Sequence, residues 1–287
     1  MEERLLNHLA HLLGVSILKA TPVSGGDISQ AFLLEGRTEC FFCKVNYDPK
    51  AYEMFLAEKS GLEGIALTKI IAVPKVMLCE QWEVGGLLLM EYIEPHSPSS
   101  VDMELFGHQL AALHKHSEAE KFGWESDNFI GSLIQSNNRH PRWPNFYVQE
   151  RLVPQLKLAR NRSLLSIPEI PSEERLLKTC ESLFPETAPS LLHGDLWSGN
   201  YLFSKKGAPY LIDPATYYGH HEVDIAMTRL FGGFGPSFYN AYQEQYPQVP
   251  GEKERNDLYQ LYYLLVHLNL FGSSYKARVN RILKMYF

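Results

Sequence analysis

The spacing of apolar residues changes character about a third of the way along the chain. Leu5, Leu6, Leu9, Leu12 and Leu13 recur at helical spacing from Glu2, and Gly14 stops the run. Shorter, β-rich stretches follow. Val23 to Leu34 has a glycine pair between apolar flanks and suits a hairpin. Phe41 to Val45 is a strand. Ile70 to Leu78 and Gly86 to Ile93 are two more, the second turning on Gly85-Gly86. One helix interrupts them from Lys50 to Leu62, with Tyr52, Phe55, Leu56 and Leu62 as its apolar face. Beyond Pro95 the pattern is helical: Val101 to His116, Asn145 to Ala159, Pro171 to Leu183, and the Tyr-rich Leu258 to Phe271. Phe122 to Pro144, rich in Asn, Gly and Pro, reads as an irregular connection whose aromatics, with Trp143, Phe146 and Tyr147, are expected to pack, a sugar floor being the alternative. His96 to Ser100 is the one composition shift, so the chain divides into lobes 1–93 and 94–287.

Composition alters this picture little. With 287 residues, 45% of them hydrophobic and 21% charged, the chain can bury a core of ordinary globular character. A net charge of −6 argues against a nucleic-acid partner. No apolar run reaches the roughly 18–20 residues a membrane span needs. The acidic start Met1-Glu2-Glu3 is unlike a signal peptide, so a cytoplasmic location is expected; the oligomeric state is open, with a monomer favoured. Cys40 and Cys43 lack the second pair that a zinc site requires, and their spacing in a strand sends them to opposite faces. Both are expected to be small buried residues, and Cys79 and Cys180 plain core thiols.

The chemistry concentrates in two segments. Leu191-Leu192-His193-Gly194-Asp195-Leu196-Trp197-Ser198-Gly199-Asn200 places an Asn five residues after an Asp, and Leu211-Ile212-Asp213-Pro214-Ala215 ends an apolar run on a second Asp. Phosphoryl transfer from ATP needs one carboxylate beside the attacking hydroxyl, and a carboxylate with an amide to hold Mg²⁺ against the phosphates. Protein kinases have Arg where this chain has Gly194, and Asp-Phe-Gly where it has Asp213-Pro214-Ala215. Only residues 214–223 separate Asp213 from Asp224, which leaves no room for a long activation loop and points to a small-molecule kinase.

Other residues gain meaning beside these. Lys44 ends an apolar strand, where an ammonium needs an anion or an escape to solvent. Glu58 in the following helix is its expected partner, preferred over Glu53 because Ala57 and Ser60 allow close approach. The turn Gly25-Gly26-Asp27-Ile28-Ser29 can bring backbone to phosphate or be a plain hairpin. Met90-Glu91-Tyr92 is either an ordinary strand end or a connector whose backbone meets adenine. Asp224 is either a second acid or, preferred, a buried acceptor that fixes the His193–Asp195 backbone. His114 and His116 are expected at the surface or in a cap, and His220 and His221 have no metal-ligand pattern. Trp197 stacks on a sugar or braces its loop; His267 and Asn269 are polar exceptions in an apolar helix and candidate substrate contacts.

Together these residues resemble the fructosamine kinase (ketosamine 3-kinase) family, within the aminoglycoside-phosphotransferase-like kinases. The carriers are Leu192 to Asn200 with its Trp-Ser-Gly-Asn, and Asp213-Pro214-Ala215-Thr216-Tyr217-Tyr218-Gly219-His220. Gly25 to Ser29, Lys44-Val45-Asn46, Met90-Glu91-Tyr92, Phe231-Gly232-Gly233-Phe234 and Tyr259-Gln260-Leu261-Tyr262 support them. Many relatives carry Cys where this chain has Asp27, so a redox switch there is not carried over.

The resemblance implies an α+β, bilobal protein-kinase-like fold. Its small N-terminal lobe has a five-stranded antiparallel sheet and one helix, and its larger lobe is mostly helical. It implies transfer of the ATP γ-phosphate to the 3-hydroxyl of a free or protein-bound ketosamine, leading to deglycation. Asp195 would be the base, and Asn200 and Asp213 the Mg²⁺ ligands. Lys44 with Glu58, Gly25 to Ser29 and Met90 to Tyr92 would hold ATP, and Trp197 the sugar, with His267 kept as a candidate substrate contact from its polar place in an apolar helix. Two rivals remain: another kinase of the aminoglycoside or choline type, which should show an acidic or aromatic cage for a cation, and a nucleotide-binding pseudokinase, which should lack one of the four polar groups.

Overall fold

A computed structural model describes residues 1–23, 29–116 and 118–287. Strands β1 (Lys19–Val23), β2 (Gln30–Glu35), β3 (Cys40–Asn46), β4 (Val76–Trp82) and β5 (Gly85–Glu91) form one antiparallel sheet in the order β1-β2-β3-β5-β4. Side-chain alternation divides the sheet into two covered faces. Cys43, Val45, Leu87 and Leu89 pack under Leu5 and Leu9 of helix α1 (Glu3–Leu13), which Gly14 caps in the left-handed conformation. Leu88 and Met90 pack instead against Ala51, Phe55 and Leu62 of helix α2 (Ala51–Thr68). Lys44 has the parity of this second face.

Several local expectations change. Strand β4 starts only at Val76, because Pro74 has no N–H for a ladder. Ala72 instead accepts from the Leu211 N–H at 2.9 Å, tying this segment to the helical part. The β4–β5 turn is Glu83–Val84, and Gly85 and Gly86 lie within the strand. A Cβ at Gly85 would come 2.0 Å from the Asn46 carbonyl oxygen, so that glycine serves close approach. Leu56, placed on the apolar face of α2, is exposed, and so is Cys40; Cys43 and Cys180 are buried and Cys79 partly so.

The second part begins with β6 (Pro95–His96) and α3 (Ser100–Lys115), whose N-terminus carries a capping box between Ser99 and Asp102. Next come a small hairpin, β7 (Asn128–Ile130) and β8 (Leu133–Gln135), within the expected irregular stretch. Helix α4 (Trp143–Phe146) runs through a π-helical turn, Tyr147–Leu152, into α5 (Val153–Asn161), and α6 (Glu173–Leu183) follows. Strands β9 (Ser190–Leu192), β10 (Tyr201–Ser204), β11 (Pro209–Leu211) and β12 (Tyr217–Gly219) pair as β9–β12 and β11–β10–β6. Helices α7 (Glu222–Leu230), α8 (Pro236–Gln245), α9 (Glu252–Phe271) and α10 (Lys276–Tyr286) complete the chain.

Helix α9 is the centre of this part; Tyr259, Tyr262, Tyr263 and Leu264 on it are wholly buried with Trp143, Phe146 and Tyr147. The aromatics near Trp143 are therefore core, not a sugar floor. Among the described residues no helix is long and apolar enough to cross a membrane.

Candidate active site

Two short antiparallel pairings build the site. Leu192 lies opposite Tyr217 in β9–β12, and Tyr201 opposite Leu211 in β10–β11. The loop 193–200 and the loop 212–216 are thereby closed onto each other. Their backbones bond directly, Ala215 N–H to His193 O at 2.9 Å and Ile212 N–H to Asn200 O at 3.1 Å. Gly194 has φ +85°, and a Cβ there would come 2.1 Å from the Ala215 carbonyl oxygen. An Arg cannot occupy that position, which accounts for the departure from the protein-kinase loop.

His193 is buried and bridges the loops. Its Nε2–H donates to Ile212 O at 2.8 Å, and its Nδ1 accepts the Asp195 N–H at 3.2 Å. Burial lowers its pKa, against the pull of Asp224, in keeping with a neutral ring. Asp224, wholly buried at the start of α7, accepts the N–H groups of His193 (2.8 Å) and Gly194 (2.9 Å). It is a structural acceptor, as preferred above.

His114 overturns its surface assignment. It is 1% exposed, donates from Nε2 to Asp224 at 3.1 Å, and meets the Tyr242 hydroxyl through Nδ1 at 2.8 Å. His116 is exposed and caps α3 through its backbone N–H.

Asp195 and Asn200 face each other across the loop. Asn200 Nδ2 donates to the Asp195 carbonyl at 2.8 Å and to its carboxylate at 3.2 Å, leaving Asn200 Oδ1 without a hydrogen bond among the described residues. Burial, then the charge of Asp213, pushes the Asp195 carboxyl up to about 7, although Asn200 pulls it back. Asp213 holds a left-handed φ of +54°, and its side chain is 40% exposed.

Pleat parity brings Lys44 to the same cleft. Its Nζ donates to Glu58 Oε1 at 2.7 Å and to Asp213 Oδ1. Burial alone would lower the Lys44 pKa; the Asp213 and Glu58 carboxylates raise it overall, so the ammonium stays charged. Burial, with Asp213 near, pushes the Glu58 carboxyl up while Lys44 draws it back. Glu53, the alternative partner, is exposed.

Gly25, Gly26, Asp27 and Ile28 lie outside the described residues. Ser29 accepts from Asn46 Nδ2 at 3.2 Å. Met90 is buried in β5, and the Glu91 N–H is committed to the Lys75 carbonyl at 2.9 Å. Trp197 stands 38% exposed with its ring against Gly199. His267 donates from Nδ1 to the Tyr263 carbonyl at 2.8 Å, and its ring lies among Phe231, Phe271 and Tyr275. It sits one helical turn beyond Tyr263, whose hydroxyl donates to Gly194 O at 2.8 Å. Asn269 is buried and bonded to Gln155, which removes it as a substrate contact.

Further residues escaped the sequence reading. Asn128 donates to Thr216 O at 2.8 Å and Gln135 to Ala215 O at 3.2 Å, so the β7–β8 hairpin supports the Asp213 loop. His220, His221 and Glu222 bring ligand-type atoms within 4.8 Å of one another. Both Glu222 oxygens, however, are held by Arg255 at 2.6 and 2.7 Å, and His220 is bonded to Tyr259.

A five-stranded sheet covered by one helix on each face, a helical second part and this loop pair define an ATP-dependent phosphotransferase of the protein-kinase-like class. The sequence profile of the fructosamine kinase family matches residues 1–287, and the chain belongs to that family. It is 39% identical over 270 residues to a protein of Enterococcus faecium named as a ketoamine kinase, covering 93% of this chain and 94% of that one. It is 40% identical over 274 residues to the chloroplastic protein-ribulosamine 3-kinase of Arabidopsis thaliana, covering 94% and 83%. A crystal structure from Haemophilus somnus, assigned as a fructosamine-3-kinase, superposes with a TM-score of 0.88 at 28% identity, covering 99% and 96%.

Proposed function

We propose that the enzyme transfers the γ-phosphate of ATP to the 3-hydroxyl of ketosamines, the adducts that reducing sugars form on lysine and small amines. The observation that carries this reading is the convergence of Lys44, Asp195, Asn200 and Asp213 on one cleft, in a chain of this family. A pseudokinase is disfavoured by the presence of all four.

The donor set suits magnesium. The half-exposed Asp213 carboxylate and the free Asn200 Oδ1 are both hard oxygens, which Mg²⁺ prefers. Bound there with ATP, the ion would neutralise charge on the phosphates. Asp195, ionised, orients the substrate hydroxyl and accepts its proton. Lys44, indexed by Glu58, meets the α/β-phosphates; Gly25 to Ser29 cover them, and the Met90–Tyr92 backbone holds adenine. Trp197 and His267 border the sugar. Loss of a C1 proton turns the ketosamine 3-phosphate into its enaminol, which expels the now allylic phosphate from C3; water then hydrolyses the resulting imine and frees the amine, which is deglycation. The substrate is free or protein-bound.

The test is ATP consumption with ribulosyl-, erythrulosyl- and fructosyl-lysine beside kanamycin and choline. Turnover with at least one ketosamine and none with the controls is expected. Phosphorylation of kanamycin or choline with every ketosamine inert would overturn the assignment.

A further inference from the structure

Helix α2 carries glycine at positions 61 and 64, well inside its span, where glycine costs stability relative to alanine. Positions three apart share a face, and Glu58 lies three before Gly61. The face that delivers Glu58 to Lys44 therefore continues into Gly61, and Gly64 follows a further step of three around the helix.

That face touches the segment just after Asp213. A Cβ on Gly61 would stand 2.8 Å from Thr216 Oγ1, 3.2 Å from Pro214 Cγ and 3.3 Å from Thr216 Cβ; one on Gly64 would stand 2.9 Å from the Trp124 ring. Neither obstacle is a loose side chain. Thr216 is 1% exposed and its carbonyl is held by Asn128 at 2.8 Å. Gly123, beside Trp124, exchanges two 2.9 Å backbone bonds with Tyr218, and the Trp124 ring packs on the Tyr218 ring at 5.5 Å. The Thr216 hydroxyl has no hydrogen-bond partner among the described residues, so its contact with α2 is packing alone.

We propose that Gly61 and Gly64 are positioning residues for the nucleotide: by seating α2 directly on Pro214, Thr216 and Trp124, they set Glu58 at a fixed distance from Asp213. Lys44, bonded to both carboxylates, is placed by that distance. Both carboxylates then move as one body, and α2 has no separate swung-out position. This rests on the reading of Lys44 and Asp213 as the nucleotide and metal pair.

The test is MgADP affinity by calorimetry, with separate KM values for ATP and ribulosyl-lysine. Gly61→Ala should weaken MgADP and raise KM for ATP about tenfold or more, since a displacement near 1 Å can cost up to about a hundredfold. KM for the ketosamine should stay within about twofold. Adding Thr216→Ala, which removes the obstructing hydroxyl, should restore nucleotide affinity to Gly61→Ala. A merely destabilised helix would not show that rescue.

Wild-type affinity in Gly61→Ala, or no recovery in the double variant, overturns the proposal. If Gly61→Ala does not fold, Gly64→Ala decides instead, with weakened MgADP expected and Trp124→Phe as its rescue; unchanged affinity there is equally fatal. A wild-type protein that binds MgADP but phosphorylates no ketosamine would refute the substrate reading and leave this one standing.

Discussion

Asp195 shows how much one residue's surroundings decide. Its folded pKa, raised first by burial and then by Asp213, lies above the ordinary value of 3.8, so protonation favours the fold. That stabilisation is present below the unfolded value and is lost as pH rises through about 7. One pKa unit is about 1.4 kcal/mol. Screening in a partly open cleft reduces the total, and a destabilisation of about 1 kcal/mol corresponds to roughly 2–4 °C. Nucleotide-free Asp195→Asn should thus melt that much higher than wild type at pH 8, the gain fading toward pH 4. The same substitution should lower turnover by about 10²–10⁴-fold, and wild-type kcat/KM should climb through pH 7. Equal melting temperatures at pH 8 would remove the electrostatic argument. Asp195, Asn200, Asp213 and Asp224 were legible because motif spacing carries them. Tyr263, Asn128 and Gln135 were not: each reaches a loop carbonyl from a distant element, and such a contact leaves no local pattern.

At the scale of elements, type was legible and edges were not. The β-rich and helical runs named individual strands and α1, α2 and α3 correctly in kind, while the five-stranded antiparallel sheet followed from the family resemblance. The edges depended on partners outside the local sequence: Gly85 sits in a strand because Asn46 presses on it, and Ala72 leaves β4 to meet β11. The π-helical turn at Tyr147–Leu152 is invisible in a 3.6-residue pattern, yet it belongs to the segment that buries Arg151 against Tyr217, 3.9 Å from the ring centre. His114 was misread for a related reason. Two residues from His116 on the same helix, it points the other way and braces α7 through Asp224. Losing a hydrogen bond to a buried charge costs about 1.5–3 kcal/mol. His114→Ala should lose that much stability in urea unfolding. Its kcat should fall because the 193–195 backbone loosens, while KM for ATP holds, since Lys44 is untouched. A variant with wild-type stability and kcat would show that Asp224 needs only its two backbone donors.

Over the whole molecule, the sheet and the helical part meet through the chain after β5, the Ala72–Leu211 bond, the Lys44–Asp213 pair and α2, whose Gly61 meets Pro214 and Thr216 and whose Ile65 joins Ile71 in the core around Phe106 and Leu110. Lys44 comes from one side and Asp213 from the other, so a nucleotide held by both, as proposed, would tie the two parts together. A ligand at one hundred times its dissociation constant stabilises by about 2.7 kcal/mol. At about 2–4 °C per kcal/mol, saturating MgADP should raise the melting temperature by roughly 5–10 °C. Chelating the magnesium should leave a smaller shift, because the ammonium of Lys44 then meets the phosphates without the ion. Asp213→Asn removes the carboxylate while keeping its size, and its ADP shift should be nearly the same with and without magnesium. Lys44 keeps Glu58 in that variant, so ADP itself should still bind. Should Asp213→Asn retain the full magnesium increment, the ion is held by other oxygens in the cleft and Asp213 acts only as a partner of Lys44.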